Sequence, residues 1–299
     1  MPRIRSTSLE PFLPPEAISA FPFLARAENV RSLPGGRTST VLLVSLGDER
    51  SQIVVKLARE DLANPLFQNK PHDEWAALCA LSRHGVAPMP VGMHPLQDGT
   101  VLILYQYLSG NSGVPTAPDL ARVLKRLHRI APLKRFPIRP HAPDALLQEA
   151  EAMLADTVLP PWATSLRPTC LPTVHPFQPC LVHRDPIASN TVSTVSGDLV
   201  LIDWQCPAIG DPVEDIAHAT SPAMAVVYGA EPVTPETLLM AYDDDQTARR
   251  ATQLLPFYRW RMLCYCNWKA HQGDDAYAAA MEHEAADLEQ MQADAHRKG

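Results

Sequence analysis

Asp185, Asn190 and Asp203 are three short polar residues whose spacing can gather oxygen atoms around one point. Asn190 stands just before the β-prone run 191–195 and Asp203 just after the run 199–202. Between the runs, Ser196-Gly197-Asp198 has the composition of a tight hairpin turn. In an antiparallel hairpin those two positions share the open end, about 5 Å apart, so an amide oxygen and a carboxylate meet there. Both are hard oxygen ligands of the kind Mg²⁺ accepts while keeping waters and phosphate oxygens in its shell. Asp185 lies in the loop leading into the same open end, where a carboxylate beside a metal-bound phosphate can orient a hydroxyl or take its proton. The order His183-Arg184-Asp185, four residues, Asn190, then Asp203 fits phosphoryl transfer from a nucleotide to an alcohol.

The segment resembles the aminoglycoside phosphotransferase and choline kinase superfamily, small-molecule kinases with the bilobal protein-kinase-like fold. That superfamily carries His-Gly-Asp, four residues, Asn, then Ile-Asp-Trp or Ile-Asp-Phe, then Gly-Asp-Pro and a following Asp. This chain has His183, Asp185, Asn190, Ile202-Asp203-Trp204, Gly210-Asp211-Pro212 and Asp215. Arg184 stands where the family usually has glycine, which leans toward protein kinases. Against that, Asp203-Trp204-Gln205 is not Asp-Phe-Gly, and there is no Ala-Pro-Glu segment. The resemblance is most specific over residues 183–215 and extends over roughly residues 27–275.

The resemblance implies an α+β fold with a small N-terminal nucleotide-binding lobe (residues 1–106), made of an antiparallel sheet plus one helix. A larger, mainly helical C-terminal lobe (107–299) would carry catalysis and acceptor binding. It implies ATP as phosphoryl donor, Mg²⁺ held by Asn190 and Asp203, Asp185 as the catalytic carboxylate, and a small-molecule alcohol as acceptor. Two other functions compete: a nucleotide-binding regulatory module without turnover, and a protein kinase. The intact Asp185, Asn190 and Asp203 set opposes the first, and the missing segments oppose the second.

These residues need elements to position them. Three strands are expected over 30–33, 40–46 and 51–57, separated by Pro34-Gly35-Gly36 and Gly47-Asp48. Gly35 and Gly36 let a backbone approach phosphate closely, and in the family this first turn lies over the nucleotide. Along the third strand Ile53, Val55 and Leu57 face a core, leaving Val54 and Lys56 on the opposite face, where the ammonium can reach phosphate. A helix over 72–84 follows Pro71 and stops at Gly85. Glu74 rides on its apolar stripe, and by resemblance it tethers Lys56, with Asp73 the alternative. A strand pair around Asp98-Gly99 leads to residues 104–110, matching the family's connection between lobes. There, backbone groups around Gln106 and Leu108 would hold the nucleotide base.

Beyond it, helices are expected over 120–127, 144–156, 235–242, 245–270 and 274–293, and the six prolines between 160 and 179 exclude a long helix there. Asp211 reads as a helix cap, and by resemblance Asp215 holds the backbone of the catalytic loop. His183 and His218 read as packing or loop-holding residues, since no four-ligand set converges with them. Tyr258, Arg261, Tyr265 and Trp268 share one helical face. They suggest an aromatic wall that would favour a cationic acceptor through cation–π attraction, unless they are core anchors.

Composition fits an enzyme of this kind. The 299 residues are 46% hydrophobic and carry a formal charge of −7, which excludes a basic nucleic-acid or anionic-membrane binder and is compatible with a cationic substrate. The six cysteines show no metal-ligand spacing, and no secretory signal or run of 18 apolar residues occurs, so a cytoplasmic location is expected. Oligomeric state is not legible.

Overall fold

A computed structural model describes residues 13–33, 39–47, 52–60, 64–113 and 115–298. The chain divides into two compact units, one comprising residues up to Gly110 with Ile202–Cys206, the other Asn111–Leu201 with Pro207–Gly299.

The first unit opens with helix α1 (Pro15–Ala20) and is built on five strands: β1 (Asn29–Ser32), β2 (Ser39–Ser45), β3 (Gln52–Ala58), β4 (Pro90–Pro95) and β5 (Val101–Gln106). They pair antiparallel in the order β1-β2-β3-β5-β4. Side chains alternate between the two faces of such a sheet, so the register sorts them. On one face Leu42, Val44, Ile53, Val55, Leu102 and Leu104 form a core with Leu13, Ala17 and Leu24 from the segment preceding β1. That proline-punctuated segment carries no strong periodic signal, yet it covers the sheet. Phe21 lies so close over Gly92 that a side chain at 92 would collide with its ring.

The other face presents Val41, Val54, Lys56, Ile103 and Tyr105. Helix α2 (Pro71–Leu81) brings Glu74, Ala77, Leu78 and Leu81 into the interior of this unit. It begins with proline at its first position, where the missing N–H costs nothing. It ends through a short 3₁₀ turn, 82–84, at Gly85 with φ 66°, the left-handed cap that glycine adopts freely. β4 starts at Pro90 and not at Val86, where the apolar run begins, since Val86 and Ala87 are buried in the connection, and the pairing with β5 is irregular between Pro90 and Gly92.

In the second unit, β6 (Gly110–Ser112) joins a sheet of order β6-β8-β9, and α3 (Ala117–His128), α4 (Pro143–Ala152) and the short α5 (Pro161–Thr164) follow. Next come β7 (Cys180–Val182), β8 (Thr191–Thr194), β9 (Leu199–Leu201) and β10 (Ala208–Gly210). β8 and β9 form the expected hairpin, with Thr191 opposite Leu201. β7 and β10 make a second antiparallel pair that brackets it in the chain. The remainder is helical: α6 (Pro212–Ala219), α7 (Pro222–Tyr228), α8 (Pro235–Tyr242), α9 (Asp245–His271) and α10 (Asp275–Lys298). α9 is the central helix, buried along most of residues 250–267 and packed by α4, α6, α7 and α10. The antiparallel sheet with its helix and the helical C-terminal part are as the sequence indicates. Strands of three residues and the seven-residue α7 are too short to leave a periodic trace.

No helix among the described residues is long and apolar enough to cross a membrane.

Candidate active site

Residues 202–206 follow β9 in the chain yet belong to the first unit, where the Lys70 amide donates to the Gln205 carbonyl at 3.0 Å. Trp204 is fully buried, and Asp203 takes a left-handed backbone with φ 63°. This turn places the Asp203 carboxylate against Lys56. Lys56 Nζ donates to Asp203 Oδ1 at 2.5 Å and to Glu74 Oε2 at 2.7 Å. The Lys56 and Glu74 side chains are 3% and 1% exposed, whereas Asp203 keeps 29%. Burial disfavours the ammonium, but Asp203 and then Glu74 outweigh it and raise the Lys56 pKa above its ordinary value. Burial also pushes the Glu74 carboxyl up, against the pull of Lys56. The strand lysine, helix glutamate and hairpin aspartate are thus one cluster. Glu74, not its neighbour Asp73, is the tether.

Gln106 ends β5. Its amide is already donated to the Met89 carbonyl at 2.9 Å, and the Tyr107 amide goes to Gln52 at 3.1 Å. Leu108 comes next and is half-buried. Gly35 and Gly36 lie outside the described residues.

In the second unit, Asp185 is 6% exposed and Asn190 8%. The Asn190 amide group donates from Nδ2 to both the Asp185 carbonyl and its Oδ2, each at 2.9 Å, which leaves the Asn190 carbonyl oxygen as the end turned to other partners. Asp215 holds the loop from beneath. Its Oδ2 accepts the His183 amide at 2.9 Å and its Oδ1 the Arg184 amide at 2.6 Å, with His128 Nε2 3.0 Å from Oδ2. The Asp185 amide donates to His183 Nδ1 at 3.2 Å. Asp211 caps α6 through the Val213 amide at 3.0 Å and pairs with Arg250. His183 therefore holds backbone, as His218 does through the Arg184 carbonyl.

In the first unit Asp203 spends one oxygen on Lys56, and in the second Asn190 donates from Nδ2, so each keeps an oxygen of the hard kind Mg²⁺ accepts that these contacts do not use. Among the described residues, no group of three or more His, Cys, Asp and Glu gathers as a closed protein-only metal cage.

Sequence reasoning missed a buried ion network behind the loop. Arg184 Nε donates to Glu214 Oε1 at 3.2 Å, and Arg261 Nη2 donates to the same oxygen at 3.0 Å. Arg261 Nη1 reaches Glu149 at 2.7 Å, and Glu149 also pairs with Arg139. His218 Nδ1 donates to the Arg184 carbonyl while its Nε2 accepts from Arg261 at 3.0 Å. A signal was available: Arg259 and Arg261 interrupt an apolar stretch of α9, and a charge inside a buried stripe requires a partner. The network also breaks the single aromatic wall. Tyr258 is 1% exposed and lies under the Arg261 guanidinium at 4.8 Å, so both belong to the core. Tyr265 instead stacks with half-buried Trp268 (6.2 Å, 20°) and meets Tyr277 edge-on, and it feels the charge of Asp185.

Burial first, then the Arg261 charge, pushes the His218 pKa down to about 3. Burial opposes ionisation of Glu214, but Arg184 and Arg261 prevail and hold its carboxyl below the ordinary 4.5. Both groups are depressed in the fold, so the unfolded chain takes up their protons first. Stability is then complete above pH 6.5 and is lost as pH falls, through His218 between 6.5 and about 3 and through Glu214 below 4.5. From about pH 6 to 5 His218 should remove up to about 1.4 kcal/mol per pH unit. Melting curves of His218→Gln, less stable at neutral pH, should be flatter over that interval than wild type, and parallel curves would contradict the assignment.

The model of the phosphotransferase enzyme family (APH) matches residues 29–255, most of the chain, a span that includes Lys56, Glu74, Asp185, Asn190 and Asp203. The chain belongs to that family. Solved structures show the same kinase-like fold. Choline kinase LicA from Streptococcus pneumoniae is 19% identical over 91% of this phosphotransferase and 97% of its own chain, with a TM-score of 0.60. Aminoglycoside 2'-phosphotransferase-IIIa, in its GDP complex, is 18% identical over 93% and 96%, with a TM-score of 0.64. Macrolide 2'-phosphotransferase MphH from Brachybacterium faecium is 19% identical over 86% and 92%, with a TM-score of 0.54.

Proposed function

We propose that this phosphotransferase moves the terminal phosphoryl group of ATP to a hydroxyl of a small molecule, with Mg²⁺ held by Asn190 and Asp203. The observation that carries this reading is the Lys56–Glu74–Asp203 cluster. Lys56, kept charged and extended by two carboxylates, binds donor phosphates. The Gln106 carbonyl and the Leu108 amide receive the base. Mg²⁺, when bound, supplies charge neutralisation at the phosphate oxygens.

Asp185 orients the acceptor hydroxyl and accepts its proton as the oxygen–phosphorus bond forms and the bond to the leaving nucleoside diphosphate breaks. Asn190 fixes the carboxylate by donating to Oδ2. Transfer of this kind needs positioning and charge stabilisation more than covalent chemistry from the protein, so a lysine and three oxygen donors suffice.

The acceptor carries a cationic group near Trp268, whose half-buried ring offers an electron-rich face and stacks on buried Tyr265. An ATP-consumption screen over aminoglycosides, choline-like amino alcohols and neutral sugars tests the function, with Asp185→Ala as control. Consumption that depends on both a hydroxyl compound and Asp185 supports the reading, and none with any alcohol rejects it. Trp268→Ala should raise the KM for a cationic acceptor about 5–30-fold and leave that for ATP unchanged. Equal losses for both, with a lowered melting temperature, would make Trp268 a packing residue.

A further inference from the structure

Position 184 departs from two local rules. Its backbone is left-handed, with φ 72°, a conformation that strains any residue with a Cβ. It also places a guanidinium in the interior, 3% exposed. Glycine would meet neither cost. The contacts that offset them form a closed ring. From the side chain the ring runs to Glu214 (3.2 Å), on to Arg261 (3.0 Å), then to His218 (3.0 Å), and returns to the carbonyl of Arg184 itself.

Side chain and carbonyl of one residue are thus fastened to the same helix, α6, whose Glu214 and His218 are both joined to Arg261 of α9. The carbonyl belongs to the peptide whose N–H is that of Asp185, and this N–H is held in turn by His183. Asp215 fixes the two preceding amides, and the ring acts together with His183 on the peptide from which the Asp185 side chain departs.

We propose that Arg184 is a positioning residue for phosphoryl transfer: its guanidinium, locked by Glu214, which Arg261 holds in turn, sets the peptide that aims the Asp185 carboxylate at the acceptor hydroxyl. The side chain is 3% exposed, so its effect falls on turnover through Asp185 rather than on ATP affinity. This inference rests on the reading of Asp185 above.

The test compares Arg184→Gly, Arg184→Lys and Glu214→Gln with wild type in steady-state kinetics, ATP binding and hydrogen exchange of residues 185–190. Arg184→Gly should lower kcat about 10²-fold, the scale of a misplacement near 1 Å, while ATP affinity changes less than about twofold. Amide exchange over 185–190 should quicken. Arg184→Lys keeps the charge without the fork and should recover part of the rate. Should the glycine variant not fold, Glu214→Gln, which opens the ring at its centre, is expected to show the same division between kcat and ATP affinity.

Wild-type kcat in folded variants overturns the proposal. So does a loss of rate that merely follows the folded fraction, with ATP affinity falling in parallel. Full turnover in Asp185→Ala would instead reject the role of Asp185, and exchange over 185–190 would still decide whether Arg184 holds the loop.

Discussion

Asp185→Ala should reduce turnover by about 10²–10⁴-fold with ATP affinity largely intact, the range for loss of a positioned general base. The structure explains why the loss should be confined to kcat. Asp185 is held through its neighbours: Asn190 bonds both its carbonyl and its carboxylate, and Asp215 and His183 hold the amides of 183–185. With the carboxylate gone, Asn190 still has the Asp185 carbonyl as partner, so the loop keeps its course. Lys56, Glu74 and Asp203 make their contacts without Asp185. Steady-state rates at saturating ATP, set beside a direct ATP-binding titration, check this outcome. Unchanged turnover would remove Asp185 from its assigned role.

Asp203→Ala should abolish most Mg²⁺-dependent activity, a fall of at least about 10²–10³-fold, the cost of deleting one preorganised charge at a transferring phosphoryl group. Two losses coincide. One is the oxygen proposed for the metal. The other is the carboxylate that does most to raise the pKa of buried Lys56, which then keeps Glu74 as its ion-pair partner. Stability should fall by about 1–2 kcal/mol, less than for a fully buried pair because the Asp203 side chain is 29% exposed. Asp203→Asn, which retains an oxygen but not the charge, should keep partial activity at raised Mg²⁺. Activity measured against Mg²⁺ concentration, together with urea unfolding, separates the two effects. A fully active alanine variant would contradict the metal assignment.

Much of this site is legible in the chain because its parts are local. The hairpin 191–201 brackets Asn190 and Asp203 by turn chemistry alone, and Pro71 and Gly85 bound the helix carrying Glu74. Strand alternation puts Lys56 on the face away from Ile53 and Val55, which the register confirms. Asp211 and Asp215 take the capping and loop-holding roles expected of them. The packing of Leu13, Ala17 and Leu24 on the sheet has no comparable trace, because three apolar side chains among prolines carry no period. The aromatic wall fails for a related reason. A helical face shows which residues point the same way, but α9 is surrounded, and Tyr258 and Tyr265 meet different neighbours along its length.

By itself the sequence pointed to the chemistry proposed above: a lysine, a glutamate, two aspartates and an asparagine, at spacings that place them on a strand, a helix and the two ends of a hairpin. Only the tertiary structure decided which carboxylate meets Lys56, and only it revealed that Arg184 closes a ring through Glu214, Arg261 and His218. Spacing along the chain fixes direction within one element, whereas a buried charge finds its partner through the packing of several elements, and that depends on contacts far apart in sequence.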